Sequence, residues 1–194
     1  MTSRAAVTIS PMIKLLSLSR YSRLFALFTL GALATVFIGC DPALNWREVR
    51  NHDAGYVGLF PAKPTSFERA VDLDGLQVMM NMTAAEADGM SFAVATAVIE
   101  DEALRTKALT AMQTAMMRNI QGEIAEQKSV AVKGGANATQ IHATGKAART
   151  GTPLVLFARF VSHGSRVYQV IALGPREKLA AETADTFLSA FAFE

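Results

Sequence analysis

The sequence predicts an α+β fold: a largely antiparallel sheet of about six to seven strands, a long middle helix and a C-terminal helix, preceded by an N-terminal signal helix. Three features carry that prediction. Strand-like runs are joined by short turn signals such as Asp74-Gly75 and Ser162-His163-Gly164-Ser165, so neighbouring strands pair antiparallel. Between two groups of such runs, Glu100–Gln121 repeats apolar residues every four positions. Ahead of them all, residues 24–38 form an uncharged, largely apolar run of fifteen residues.

After the signal segment, residues 41–66 hold Pro42, Pro61, Pro64, Gly55 and Gly58 without sustained periodicity. They read as a tether whose later part, Tyr56–Phe60, is a candidate first strand. Phe67–Leu73 and Leu76–Met82 flank Asp74-Gly75, whose two residues both tolerate positive φ. Ala84–Gly89 reads as a polar loop and Met90–Ile99 as the third strand of this group. The helix Glu100–Gln121 aligns Leu104, Ala108, Met112, Met116 and Ile120, with acids in its first turn and Arg118 in its last, as the helix dipole favours. Ser129–Lys133, Thr139–Lys146, Pro153–Val161 and Arg166–Leu173 form the second strand group. Gly174-Pro175 stops the sheet, and Arg176–Phe193 reads as a closing helix with Leu179, Thr183, Phe187 and Phe191 on one stripe. The chain therefore divides into a signal peptide over 1–39, a modified terminus and tether over 40–55, and one α+β domain over 56–194.

Composition sharpens the division. The 194 residues carry a formal charge of +2, but Arg4, Lys14, Arg20 and Arg23 precede Asp41, the first acid. Without residues 1–39 the chain has 15 Lys and Arg against 17 Asp and Glu, a net charge of −2. The basic character belongs to the leader, which argues against a nucleic-acid partner. A single cysteine excludes an internal disulfide and any Cys-based zinc site.

Arg20 and Arg23 followed by the apolar run give the order of a secretory signal. At 1.5 Å per residue the run spans about 22 Å, cramped for a ~30 Å hydrocarbon core. The basic end stays in the cytoplasm, so the rest faces outward. Met12 would give a more ordinary start than Met1. The run ends in Phe37-Ile38-Gly39-Cys40, which resembles the lipobox of bacterial lipoprotein precursors, with Phe37 where Leu is usual. That resemblance implies cleavage between Gly39 and Cys40, a diacylglycerol on the Cys40 thiol and an acyl chain such as palmitate on the new amine. Two or three chains suffice for stable anchoring. Asp41 resembles the sorting signal that retains enteric-type lipoproteins in the inner membrane, which favours its periplasmic face over the outer membrane. An uncleaved single-pass anchor is the other possibility for the same exported domain.

Candidates for chemistry are sparse. His52, His142 and His163 fall in the tether, on a strand and in a hairpin turn, without a partner at metal-ligand spacing. His163-Gly164-Ser165 lacks the strand–elbow–helix setting of a nucleophilic serine. The glycines of Lys133–Thr139 are not followed by the Lys-Ser/Thr of a P-loop, and read as a hairpin turn. Glu100-Asp101-Glu102 reads as helix N-terminal charge, and Trp46 as packing on the domain edge or sitting at the lipid interface. Arg149, Arg159 and Arg166 are candidates for an anion site or for solvated strand faces. Asn81 and Asn137 begin sequons that carry little meaning in a bacterial protein. Sharpest is Met79-Met80-Asn81-Met82, with Met90, Met112, Met116 and Met117: Met80 and Met82 share one strand face, where paired thioethers suit Cu(I) or simply fill a core.

The order strands, helix, meander, helix, with the ending Phe187-Leu188-Ser189-Ala190-Phe191, resembles the PsbP-like α/β/α sandwich over about residues 56–194. Asn45–Arg50 and Tyr168-Gln169-Val170 resemble stretches of small proteobacterial lipoproteins of uncharacterised role. Together they imply a membrane-anchored, periplasm-facing, non-enzymatic binding or envelope-assembly module. Its expected partners are membrane lipid and an envelope protein, not nucleic acid, and its only expected prosthetic group is the lipid on Cys40. The alternative expectation is a copper-binding protein using Met80 and Met82.

Overall fold

Alternation along the strands sorts the apolar residues into two layers, one on each face of a single large sheet. The computed structural model describes residues 44–194. The expected signal helix over 24–38, and Gly39, Cys40 and Asp41, lie outside the described residues.

The described chain runs β1 (Arg47–Asn51), β2 (Tyr56–Phe60), β3 (Thr65–Leu73), β4 (Leu76–Ala87), β5 (Met90–Val98), α1 (Glu102–Asn119), β6 (Glu123–Val132), β7 (Ala136–Lys146), β8 (Pro153–His163), β9 (Arg166–Pro175), α2 (Ala181–Ala190) and β10 (Ala192–Phe193). Seven strands make the large sheet in the order β3-β4-β5-β9-β8-β7-β6, and each neighbouring pair is antiparallel. A small sheet, β1-β2-β10, accompanies it. The architecture is α+β, as the turn signals predict. Helix α1 carries the chain from β5 in mid-sheet to β6 at the far edge, and three hairpins bring it back.

Besides shifts of a few residues, such as Gly174-Pro175 pairing within β9 rather than stopping the sheet, four boundaries differ from the sequence reading. Arg47–Asn51, read as tether, pairs along its whole length with β2, and Trp46 packs edge-on against Phe92 at 6.1 Å. The polar loop over Ala84–Gly89 is instead the end of β4, closed by Asp88-Gly89 with φ of 49° and 74°. Three alanines, which favour strands weakly, hid that continuation, yet Ala85 and Ala87 are buried. Strand β6 begins at Glu123 because an edge strand tolerates the polar run Glu126-Gln127-Lys128. The closing helix is only Ala181–Ala190: Pro175 accepts from the N–H groups of Lys178 and Leu179 in a tight turn. Past Ala190 the chain extends, so that Ala192 and Phe193 pair with β2.

On one face, Phe92 and Val94 of β5 and Tyr168 and Val170 of β9 meet Phe60 of β2 and Phe187 of α2. The Phe187 ring lies 5.4 Å from Phe60 and 5.3 Å from Phe92, both edge-to-face. On the other, Ala95, Ala97, Leu156, Ala158 and Ile171 pack under Ala108, Met112 and Ile120 of α1 and its end. Gly134 lets the β6–β7 turn approach β10: its φ is +98°, and a Cβ there would lie 2.7 Å from that of Phe193.

Candidate functional site

The expected methionine pair stands on the α1 side of the sheet. Met80 is buried and Met82 half-buried there, while Met79 points the other way and is 59 % exposed. Opposite them, Met112 and Met116 are one helical turn apart on α1. All four line one groove of about 320 Å³ between α1 and the β3–β4 hairpin, with Arg69 at its rim and the buried Gln169 in its wall. Four thioethers in one groove suit a soft cation, and they equally give an apolar wall that can reshape. Each half of this cluster is visible in the sequence; that α1, lying over β8 and β9, faces the β3–β4 hairpin across a groove is not. Among the described residues, no group of three or more His, Cys, Asp or Glu side chains is placed to hold a metal ion.

Each histidine has its own partner. His52 bonds through Nδ1 to Glu194 at 2.9 Å. His142 stacks on Phe157 at 4.5 Å, and His163, the last residue of β8, stacks on Phe193 at 4.1 Å. Asp101 is the N-cap of α1, its carboxylate accepting from the Leu104 N–H at 2.8 Å.

The three candidate anion-site arginines do different work. Arg149 lies in the exposed loop between β7 and β8. Arg166 donates from Nη2 to the Asp53 carbonyl at 2.9 Å, fastening the β1–β2 turn to β9. Arg159 is the one the sequence undervalues: it is 7 % exposed, and donates to Gln140 Oε1 at 2.7 Å and to the Leu188 carbonyl at 2.6 Å. Helix α2 has no basic residue in its last turn, so Arg159 supplies the positive charge its C-terminus favours from the sheet below. Burial pushes its guanidinium below the ordinary value, and Asp185 opposes that shift. A cleft of about 280 Å³ beside it contains Glu126, Lys128 and His142. Lys128 bonds Glu126 at 2.9 Å and holds its carboxylate below the usual range.

Fold and grooves together define a layered α+β domain with sheet faces of contrasting chemistry. No protein-family model and no curated protein matches the chain. Among solved structures it is similar to a protein of unknown function from Pseudomonas aeruginosa, at 12 % identity and a TM-score of 0.38, over 70 % of this chain and 86 % of that one. Among the described residues no helix is long and apolar enough to cross a membrane.

Proposed function

We propose that the protein is a lipid-anchored, periplasm-facing lipoprotein acting as a non-catalytic binding or envelope-assembly module, its domain a PsbP-like α/β/α sandwich. The observation that carries the reading is the position of the only cysteine, Cys40, at the end of the only signal-like segment and after Phe37-Ile38-Gly39. Cleavage falls before Cys40, the lipid is a diacylglycerol with an added acyl chain, and Asp41 favours the inner membrane. Membrane lipid and an envelope protein are the partners, and nucleic acid is not.

The boundary of β1 gives this reading a physical consequence. Leu44 and Trp46 already pack on the core, and the Asn45 N–H donates to the Pro61 carbonyl at 2.7 Å. From Cys40 to Leu44 a chain reaches at most about 14 Å. The lipid therefore holds the domain at the bilayer surface, without a long leash, and raises its effective concentration near membrane-bound partners.

Labelling cells with an alkyne fatty acid tests the proposal. Wild type takes the label and Cys40→Ser does not; equal labelling of the two defeats it, and an unlabelled membrane-bound wild type favours the uncleaved anchor. A second reading, a soft-metal binder, is favoured by the shared groove of Met80, Met82, Met112 and Met116. Cu(I) titration of the full chain in detergent decides it: affinity unchanged by the double substitution Met80→Leu and Met82→Leu removes that reading.

A further inference from the structure

On the aromatic face, Glu68, Asn81, Thr96 and Tyr168 are successive cross-strand neighbours from β3 to β9. The inner end of this row is roofed by the β1–β2 turn, where Tyr168 donates to the Ala54 carbonyl at 2.8 Å. Its outer end is open, with Asn81 half-buried and Glu68 exposed. Between roof and strands lies a cleft of about 340 Å³. Thr96 lines its inner wall at 1 % exposure, and the Thr96 Oγ1 has no hydrogen-bond partner among the described residues. A buried hydroxyl left unpaired is rare in a native fold, and Thr96 borders the cleft.

The charges around it are not neutralised, although Arg166 already donates one N–H to the Asp53 carbonyl. Glu68, Asp53 and Arg166 all line the cleft, and none of them forms an ion pair among the described residues. Glu68 stands on β3 and Arg166 on β9, three strand spacings across and two residues along, or about 16 Å apart at the backbone. Two long side chains reduce that gap to the length of a small molecule. Met79 and Val98, 59 % and 49 % exposed, form an apolar border between them. Two carboxylates against one guanidinium leave the cleft net negative.

We propose that this cleft binds a short zwitterionic peptide of net positive charge. Its ammonium meets Glu68, its carboxylate meets Arg166, and its amide lies between Asn81 and Thr96. The inference rests on the binding-module reading, and is independent of lipidation at Cys40.

The test titrates the full chain in detergent at low salt with glycyl-lysine, and with glycyl-glutamate as the charge-reversed probe, read by calorimetry. Saturable binding of glycyl-lysine is expected, with glycyl-glutamate at least about tenfold weaker, since a charged hydrogen bond is gained in one case and lost in the other. Glu68→Gln and Thr96→Val each weaken glycyl-lysine binding, while both variants keep the circular dichroism spectrum and unfolding temperature of wild type. Absence of saturable binding overturns the proposal, as does wild-type affinity in the protein carrying both Glu68→Gln and Thr96→Val. Either failure leaves the labelling result at Cys40 unaffected, so the two readings fall separately.

Discussion

The two faces of the large sheet solve the same burial problem with different residues. Under α2 and the small sheet the contact is aromatic: Tyr56, Phe60, Phe92, Tyr168, Phe187 and Phe191 meet ring against ring. Under α1, small alanines on the strands face methionines on the helix. Rings have few rotamers and directional packing, so they fix one arrangement. Methionine has three rotatable bonds and fills whatever gap remains, and on this face a groove is left at the β3–β4 side. The aromatic face holds the added layer in place, while the methionine face can adjust.

Truncation should separate the faces most clearly. Phe187→Ala opens a cavity between Phe60 and Phe92 and is expected to cost about 3–5 kcal/mol in denaturant unfolding. Next comes Arg159→Met, which leaves Gln140 and the Leu188 carbonyl without their donor and α2 without its charge; about 1–3 kcal/mol is expected by the same measurement. Met112→Leu keeps volume on the adaptable face, and its cost should stay under about 1.5 kcal/mol. A cost for Met112→Leu as large as that for Phe187→Ala would break the comparison. Asp101→Ala removes the cap of α1 and should cost about 1 kcal/mol.

The smallest effect is one of pH. Burial raises the Tyr168 phenol above its ordinary value of 10.0, and the nearby Arg166 charge works against that. The folded state keeps this proton after the unfolded chain has lost it, so the contribution is intact below about pH 10 and is lost as pH rises through the folded value. Tyr168→Phe should flatten that part of the stability profile.

Much of the fold was legible because its signals are local. Asp74-Gly75 turns with φ of 57° and 86°, the acids of Glu100-Asp101-Glu102 mark the start of α1, and the meander from Ala136 to Pro175 follows its turn residues. The misread boundaries depend on distant partners. Arg47–Asn51 is a strand only because β2 lies beside it, and Ala192-Phe193 leaves the helix only because β2 has a free edge. Sites divide in the same way. Met80 and Met82 are two residues apart and were visible, whereas the row from Glu68 to Tyr168 is assembled by register across four strands. Arg159 gave no sign of its capping role, because the carbonyl it meets, that of Leu188 in α2, lies 29 residues later.

The proposed lipid at Cys40 would carry the domain with almost no leash. Intact-mass and N-terminal fragment analysis of the protein extracted from membranes tests it most directly. A chain beginning at Cys40, 155 residues long, with its first residue heavier by a diacylglycerol and an acyl group, is expected. An unmodified Cys40 inside a chain that retains the leader would contradict it.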